Sequence, residues 1–211
     1  SDEILNYSQK LKIIYGIASG MSYLHSHNIL HRDLNTNNIY FDDLLYPKIS
    51  GFNIAKEIEG DKTEPNVTIK GSPLYIAPEV YLHQGYSKAS DVYSFGLLVY
   101  ELITKKKPYN NLINPSKIKH EICERNYRPT FDKTIPHKYR ELIERCWSSK
   151  VDERPTFDII VQELKTDPEY ITDGFPKEKY RQFIEYLDEF PIKFDPNKRV
   201  KNFDDILESK L

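Results

Sequence analysis

Apolar residues recur at three- and four-residue steps across residues 8–27, which predicts an amphipathic helix with one buried face. The middle of residues 87–105 is apolar on nearly every side, which predicts a helix buried all round. Three further helical patterns, separated by prolines, cover residues 116–124, 138–147 and 157–165. The chain is therefore predicted to be predominantly α-helical.

Two short runs interrupt this helical pattern. Residues 39–41 and 48–50 stand on either side of Asp42, Asp43 and Pro47, and they predict a short β-hairpin. Residues 51–79 are polar without clear periodicity, which predicts a long surface segment. The predicted fold class is thus α+β, a helical lobe with one hairpin.

The last part of the chain contains another amphipathic pattern. Its apolar residues fall on one helical face over residues 177–190. Such a helix docks on its own domain or binds a partner, and both readings stay open here. A weaker pattern at Phe203, Ile206 and Leu207 predicts a last short helix, with a frayed terminus as the alternative.

Composition limits the classes of partner. Thirty basic and thirty-two acidic side chains leave a formal charge of -2, so nucleic acid and anionic membranes are not expected partners. No apolar run approaches the roughly 20 residues of a membrane span. Only two cysteines occur, Cys123 and Cys146, which favours a reducing compartment over a disulfide framework. We expect a cytoplasmic protein with protein partners.

Five segments carry a family resemblance. They are His31-Arg32-Asp33-Leu34 with Asn38, Lys48-Ile49-Ser50-Gly51-Phe52-Asn53, residues 71–79, residues 90–96, and Cys146-Trp147 with residues 152–157. The first resembles the catalytic loop H-R-D-L-x-x-x-N of protein kinases, and the second resembles their D-F-G magnesium motif. The chain resembles the large C-terminal lobe of a tyrosine-kinase-like Ser/Thr kinase over residues 8 to 166. This divides it into a kinase-like domain, 1–166, and a tail, 167–211.

The resemblance implies chemical roles for the catalytic loop. Asp33 corresponds to the residue that accepts the proton of the substrate hydroxyl, and Asn38 to a ligand of the second magnesium ion. ATP and Mg²⁺ are the cofactors that the family uses. Gly51 stands where the family has its metal-binding Asp, and Asn53 replaces a Gly. Asn35 replaces the Lys that contacts the transferring phosphate. Asn35 and Asn38 are therefore the residues expected on the nucleotide side of the site.

Other matched residues have structural roles in the family. Glu79 and Arg154 correspond to a buried ion pair, and Asp91 to a helix residue that binds the catalytic-loop backbone. His31 and Arg32 organise that loop. Thr63, Thr68 and Ser72 lie in the activation segment and are possible phosphorylation sites, where a phosphate would pair with Arg32.

The small lobe is not recognisable in the sequence. No G-x-G-x-x-G and no V-A-I-K-like strand occur, and residues 1–30 before the catalytic loop are accounted for by one helix and its lead-in. We expect the small lobe to be absent, and the surface that it would cover to offer a protein contact. The first hypothesis is a truncated pseudokinase that acts as a binding or regulatory module. The alternatives are a Ser/Thr kinase active when completed by a small lobe, and a gene remnant without function.

Overall fold

A computed structural model describes residues 5–42, 45–60, 63, 68–109, 112, 114–172, 177–189 and 201–203. Its helices are α1 (Tyr7–Ser26), α2 (Pro78–Tyr81), α3 (Lys88–Thr104), α4 (Pro115–Cys123), α5 (His137–Cys146), α6 (Phe157–Thr166) and α7 (Lys177–Glu189). Its strands are β1 (Ile29–Leu30), β2 (Ile39–Phe41), β3 (Pro47–Ile49), β4 (Lys56–Glu57) and β5 (Lys201–Asn202). The predicted helical fold with a short hairpin is confirmed.

The strands form two small antiparallel sheets. Strands β2 and β3 form the predicted hairpin, with Tyr40 opposite Lys48, and β5 pairs with the other edge of β2. Strand β1 pairs with β4, where Ile29 lies opposite Glu57. The sequence pattern missed β1, β4 and β5, because two-residue strands are too short to show alternation. The segment predicted as plain surface loop therefore contains a paired strand.

Helix α1 begins at a capping box. The Asn6 side chain accepts a hydrogen bond from the Gln9 amide at 2.9 Å, and the Gln9 side chain accepts one from the Asn6 amide at 2.9 Å. These bonds satisfy two backbone donors at the start of the helix. The apolar face of α1 is buried, with Leu24 only partly so, and packs against α6 and the hairpin.

Helix α3 is the centre of the core. All its residues from Ser90 to Ile103 are buried, as its apolar pattern predicted. It packs closely on α5 at Gly96, where an added Cβ would lie 2.7 Å from the Cβ of Cys146. The absence of a side chain at Gly96 is what permits this distance between the two helices.

The ion pair between Glu79 and Arg154 ties α2 to the segment before α6. Arg154 donates from Nη1 to Glu79 Oε1 at 2.7 Å and from Nη2 to Oε2 at 2.8 Å. Both side chains are buried, and Arg154 also donates to the carbonyl oxygens of Ser148 and Ala89. This bidentate geometry holds the end of the activation segment against the helical core.

Helix α7 lies on the domain rather than apart from it. Tyr180, Phe183 and Ile184 are buried, and the helix contacts α1. Phe203 is buried beside β5, whereas Ile206 and Leu207 of the predicted last helix lie outside the described residues. Among the described helices, none has both the length and the apolar character to cross a membrane.

Two glycines in helices offer a matched test of the α3–α5 packing. Gly96→Ala should destabilise the fold by about 1 to 3 kcal/mol, because overpacking against Cys146 outweighs the roughly 1 kcal/mol gained in helix propensity. Gly20→Ala in α1 meets only the end of the Ile49 side chain, at 2.8 Å, so it should be neutral or slightly stabilising. Urea denaturation measures both variants. Equal effects of the two substitutions would contradict the packing described.

The buried ion pair generates a second prediction. Arg154→Met should cost about 3 to 5 kcal/mol, because it leaves the Glu79 carboxylate buried without its cation. The control is Arg181→Met, since the Arg181 side chain is 67% exposed and bridges only surface glutamates. That variant should lose less than about 1 kcal/mol. A loss for Arg154→Met no larger than for the control would show that the buried pair is not a structural tie.

Candidate catalytic site

The catalytic loop is held by one buried carboxylate. Asp91 on α3 accepts the His31 amide at Oδ2 and the Arg32 amide at Oδ1, both at 2.9 Å. His25 Nε2 lies 2.9 Å from Oδ2, and Asp91 is only 1% exposed. The loop is fixed further by the His31 ring, whose Nε2 lies 2.7 Å from the Ser50 carbonyl oxygen. These contacts join the catalytic loop to α3 through Asp91 and to the end of β3 through His31.

The carboxylate of Asp33 is surrounded by hydrogen-bond donors of the chain itself. Its Oδ1 accepts from the Ser72 amide at 2.9 Å, from Ser72 Oγ at 3.0 Å and from Asn35 Nδ2 at 2.9 Å. Its Oδ2 accepts from Asn38 Nδ2 at 3.0 Å. Three donors on Oδ1 and one on Oδ2 thus bind the group that would receive a substrate proton.

Asn38 fills the space beside Gly51. Gly51 has a φ of +81°, and a Cβ added to it would lie 2.3 Å from the Asn38 side-chain carbon and 2.5 Å from both amide atoms. Asn38 Nδ2 also donates to the Asp33 carbonyl oxygen at 2.7 Å. An aspartate at position 51 would therefore collide with Asn38 as it stands. Asn38 therefore occupies the space that a side chain at position 51 would fill.

The residues present do not fit a magnesium ion in this arrangement. Magnesium requires oxygen ligands in near-octahedral geometry, usually with one or two carboxylates. Position 51 has no side chain, and Asn38 turns its amide nitrogen toward Asp33. No group of three or more His, Cys, Asp or Glu side chains able to hold a metal occurs among the described residues.

The carboxylate of Asp42 does not replace the missing ligand. Asp42 is buried and its Oδ1 accepts the Tyr46 amide at 3.0 Å, so it belongs to the hairpin turn. Asp43 lies outside the described residues. Asn53 is exposed in the single helical turn after Gly51 and has a negative φ, so it needs no glycine-like backbone.

Asn35 contributes no charge to the site. It donates to the Asp33 carbonyl oxygen at 2.8 Å as well as to Oδ1, and its own Oδ1 accepts the Asn37 amide at 2.9 Å. The side chain is buried and caps the turn 36–38. Its observed contacts are structural, and the described side chains that donate to the Asp33 carboxylate, those of Asn35, Asn38 and Ser72, are all neutral.

The activation segment is clamped onto the catalytic loop. Gly71 has a φ of +98°, and a Cβ there would lie 2.7 Å from the Arg32 carbonyl oxygen. On one side of it Ser72 binds Asp33. On the other, the Tyr86 hydroxyl donates to the Lys70 carbonyl oxygen at 2.5 Å and accepts the Lys70 amide at 2.9 Å. Burial raises the pKa of Tyr86, whose ring also lies 5.4 Å from the Arg32 guanidinium.

The predicted phosphorylation sites have different surroundings. Thr63 and Thr68 are exposed, whereas Ser72 is half-buried with its hydroxyl on Asp33. A phosphate on Ser72 would lie against the Asp33 carboxylate and repel it. Arg32, the predicted phosphate partner, donates from Nε to the Ile54 carbonyl oxygen at 2.6 Å. Modification of Thr63 and Thr68 stays a prediction.

A four-residue ring joins the loop to α3. The Tyr75 hydroxyl donates to Glu101, and Lys107 Nζ lies 2.6 Å from the other oxygen of Glu101. Thr36 Oγ1 completes the ring, 3.2 Å from the Tyr75 hydroxyl and 3.3 Å from Lys107 Nζ. The pKa of Tyr75 is raised well above its usual value, first by burial and then by Glu101. Sequence reasoning missed the ring because Thr36 is 39 residues from Tyr75 and 71 from Lys107, and Tyr75 is 26 residues from Glu101.

Comparison with known proteins identifies the family of the chain. A family model described as "Protein tyrosine and serine/threonine kinase" matches residues 1–164. In Dictyostelium discoideum, the dual specificity protein kinase pyk3 is 38% identical over 162 residues, which is 77% of this chain and 12% of that protein. The dual specificity protein kinase shkB is 33% identical over 159 residues, 74% of this chain and 24% of that protein.

A third relative from the same organism is described as a probable LIM domain-containing serine/threonine-protein kinase. It is 34% identical over 169 residues, which is 80% of this chain and 25% of that protein. The chain thus spans a quarter or less of the length of each of these three relatives. With the family match covering most of its length, the chain belongs to the protein tyrosine and serine/threonine kinase family.

Proposed function

We propose that this chain is a kinase-like domain that does not transfer phosphate and acts as a protein-binding or regulatory module. The observation that carries the proposal is the arrangement of Gly51, Asn38 and Asp33. Position 51 has no carboxylate, and Asn38 occupies the neighbouring space and donates to Asp33. The group that would accept a proton is thereby bound by the chain itself.

The energetics favour this reading. Kinase catalysis rests on positioning and on neutralising the phosphate charge through metal ions. Loss of metal ligation worth only about 4 kcal/mol of transition-state stabilisation lowers the rate roughly a thousandfold. The cation that the family supplies at position 35 is absent as well, because Asn35 is neutral. Both losses act on the same step.

A non-catalytic role agrees with the retained residues. His31, Asp91, Glu79 and Arg154 have contacts that stabilise the lobe whether or not it has activity. Phe52 is 47% exposed beside the His31 ring, with 5.2 Å between ring centroids, and offers apolar surface for a protein partner. Membership of the tyrosine-kinase-like group and a cytoplasmic location are parts of this proposal.

The second candidate is a Ser/Thr protein kinase that is active when completed by a small lobe. It would transfer the ATP γ-phosphate to protein hydroxyls, with Asp33 as the base. The retained Asp33 and Asn38 favour it, as do relatives that are described as kinases. In this case Asn38 must turn away from Asp33 to meet a metal, and position 51 still lacks its carboxylate.

Nucleotide binding separates the two candidates. A ligand present at a hundred times its dissociation constant adds about 2.7 kcal/mol to stability. We expect the melting temperature of the chain to be the same with ATP and Mg²⁺ as with ATP and EDTA. Asn38→Ala, which removes the remaining amide ligand, serves as the matched control. A magnesium-dependent rise in the chain that Asn38→Ala abolishes would contradict the proposal.

The steric link between Gly51 and Asn38 generates a further prediction. Gly51→Ala should destabilise the chain by about 1 to 3 kcal/mol, because it strains the left-handed backbone and displaces the Asn38 amide. In the double variant Gly51→Ala/Asn38→Ala the steric clash is relieved, while the backbone strain and the loss of the Asn38 hydrogen bonds remain. The double cost should therefore fall short of the sum of the single costs by about 0.5 kcal/mol or more. Urea denaturation of the four proteins measures this coupling, and strict additivity would mean that Asn38 does not fill this space.

A further inference from the structure

The tail that follows the family match is attached to the domain through helix α7. The Tyr180 hydroxyl donates to the Leu164 carbonyl oxygen at 2.9 Å, at the end of α6. The Phe183 ring meets Tyr15 of α1 edge-on at 6.3 Å and stacks on Tyr46 of the hairpin turn at 5.5 Å. Lys12 of α1 lies over the same ring, 5.0 Å from its centroid. One aromatic side chain of the tail thus joins α1 to the hairpin.

The tail is attached a second time through strand β5, at the edge of the hairpin that β2 forms. Strand β5 pairs antiparallel with β2, with Asn202 opposite Tyr40 and Lys201 opposite Phe41. Phe203 is 2% exposed, and its ring centroid lies 5.9 Å from that of Phe41. The pairing is therefore supported by a buried aromatic contact as well as by backbone hydrogen bonds.

The position of β5 matters because β2 directly follows the catalytic loop. Asn38 is the residue before β2, and its carbonyl oxygen accepts the Ser50 amide at 2.8 Å on the β3 side. Strand β3 covers one edge of β2, and β5 covers the other. Without β5, that edge would expose unpaired backbone groups, which accept extended segments of other chains.

We propose that helix α7 and strand β5 together form a clasp that covers, within the same chain, a strand-accepting edge beside the catalytic loop. When the clasp opens, this edge takes an extended peptide paired antiparallel with β2. The helix anchors the clasp on α1 and Tyr46, and the strand closes the edge. This inference goes beyond the proposed function, because it holds whether or not the chain transfers phosphate.

A cross-strand disulfide tests whether the strand paired with β2 is β5 of the same chain. Directly opposed residues of antiparallel strands have Cα atoms about 4.5 to 5.5 Å apart, within the range that a disulfide bridges. Tyr40→Cys/Asn202→Cys should form an intrachain bond under mild oxidation, and Tyr40→Cys/Lys48→Cys on the β3 side is the positive control. Peptide mass mapping separates these bonds from any that involve Cys123 or Cys146. A bond between two chains, or none at 40–202 while 40–48 forms, would overturn the clasp.

The same variant tests the edge as a binding site. A synthetic peptide with the sequence of residues 199–206 is the probe, and fluorescence anisotropy measures its binding to the reduced and oxidised protein. We expect at least tenfold weaker binding to the oxidised protein, in which the clasp cannot open. Oxidation of Tyr40→Cys/Lys48→Cys should leave peptide binding unchanged, since this disulfide does not fix β5 to β2. Equal binding by the reduced and oxidised 40–202 variant, or no binding to either, would show that the edge does not accept a strand.

Discussion

The catalytic loop depends on the buried carboxylate of Asp91. This residue projects from the completely buried helix α3 and binds the amides of His31 and Arg32, while His25 binds it from α1. A carboxylate at 1% exposure is stable only when such donors satisfy it, so helix and loop need each other. The shape of the loop is therefore a consequence of core packing, and it persists independently of any reaction.

This dependence explains why the lobe keeps the shape of a catalytic loop although the residues beside it do not fit a magnesium ion. His31, Glu79, Asp91 and Arg154 make contacts that stabilise the fold, whereas Gly51 has no side chain to make one. A glycine there adopts a φ of +81° without strain and lets Asn38 turn onto Asp33. The four hydrogen bonds to the Asp33 carboxylate then form one network within the chain. Opening it for a substrate or a metal ion costs the hydrogen bonds that it now contains.

Much of this structure was predictable from the sequence. The helical pattern, the hairpin and the kinase-like segments all depend on local periodicity or on short strings of residues. The helices other than α2, which was not predicted, lie within a residue or two of their predicted bounds. The inward position of Asn38 was not predictable, because it depends on the space that Gly51 leaves across the hairpin. The Tyr75–Glu101–Lys107 ring and the β5 pairing were missed for a related reason. Each joins residues far apart in the chain, and none has a local signature.

The central claim is that this site cannot hold a metal–nucleotide complex, and paramagnetic relaxation tests it most directly. Mn²⁺ takes the same oxygen ligands as Mg²⁺ and broadens NMR signals of nearby nuclei. In the ¹⁵N-labelled chain titrated with Mn²⁺ and ADP, the account predicts that the amide signals of Asp33, Asn38 and Gly51 broaden no more than those of exposed residues in α6. Selective broadening of these three signals that saturates with ADP would contradict it.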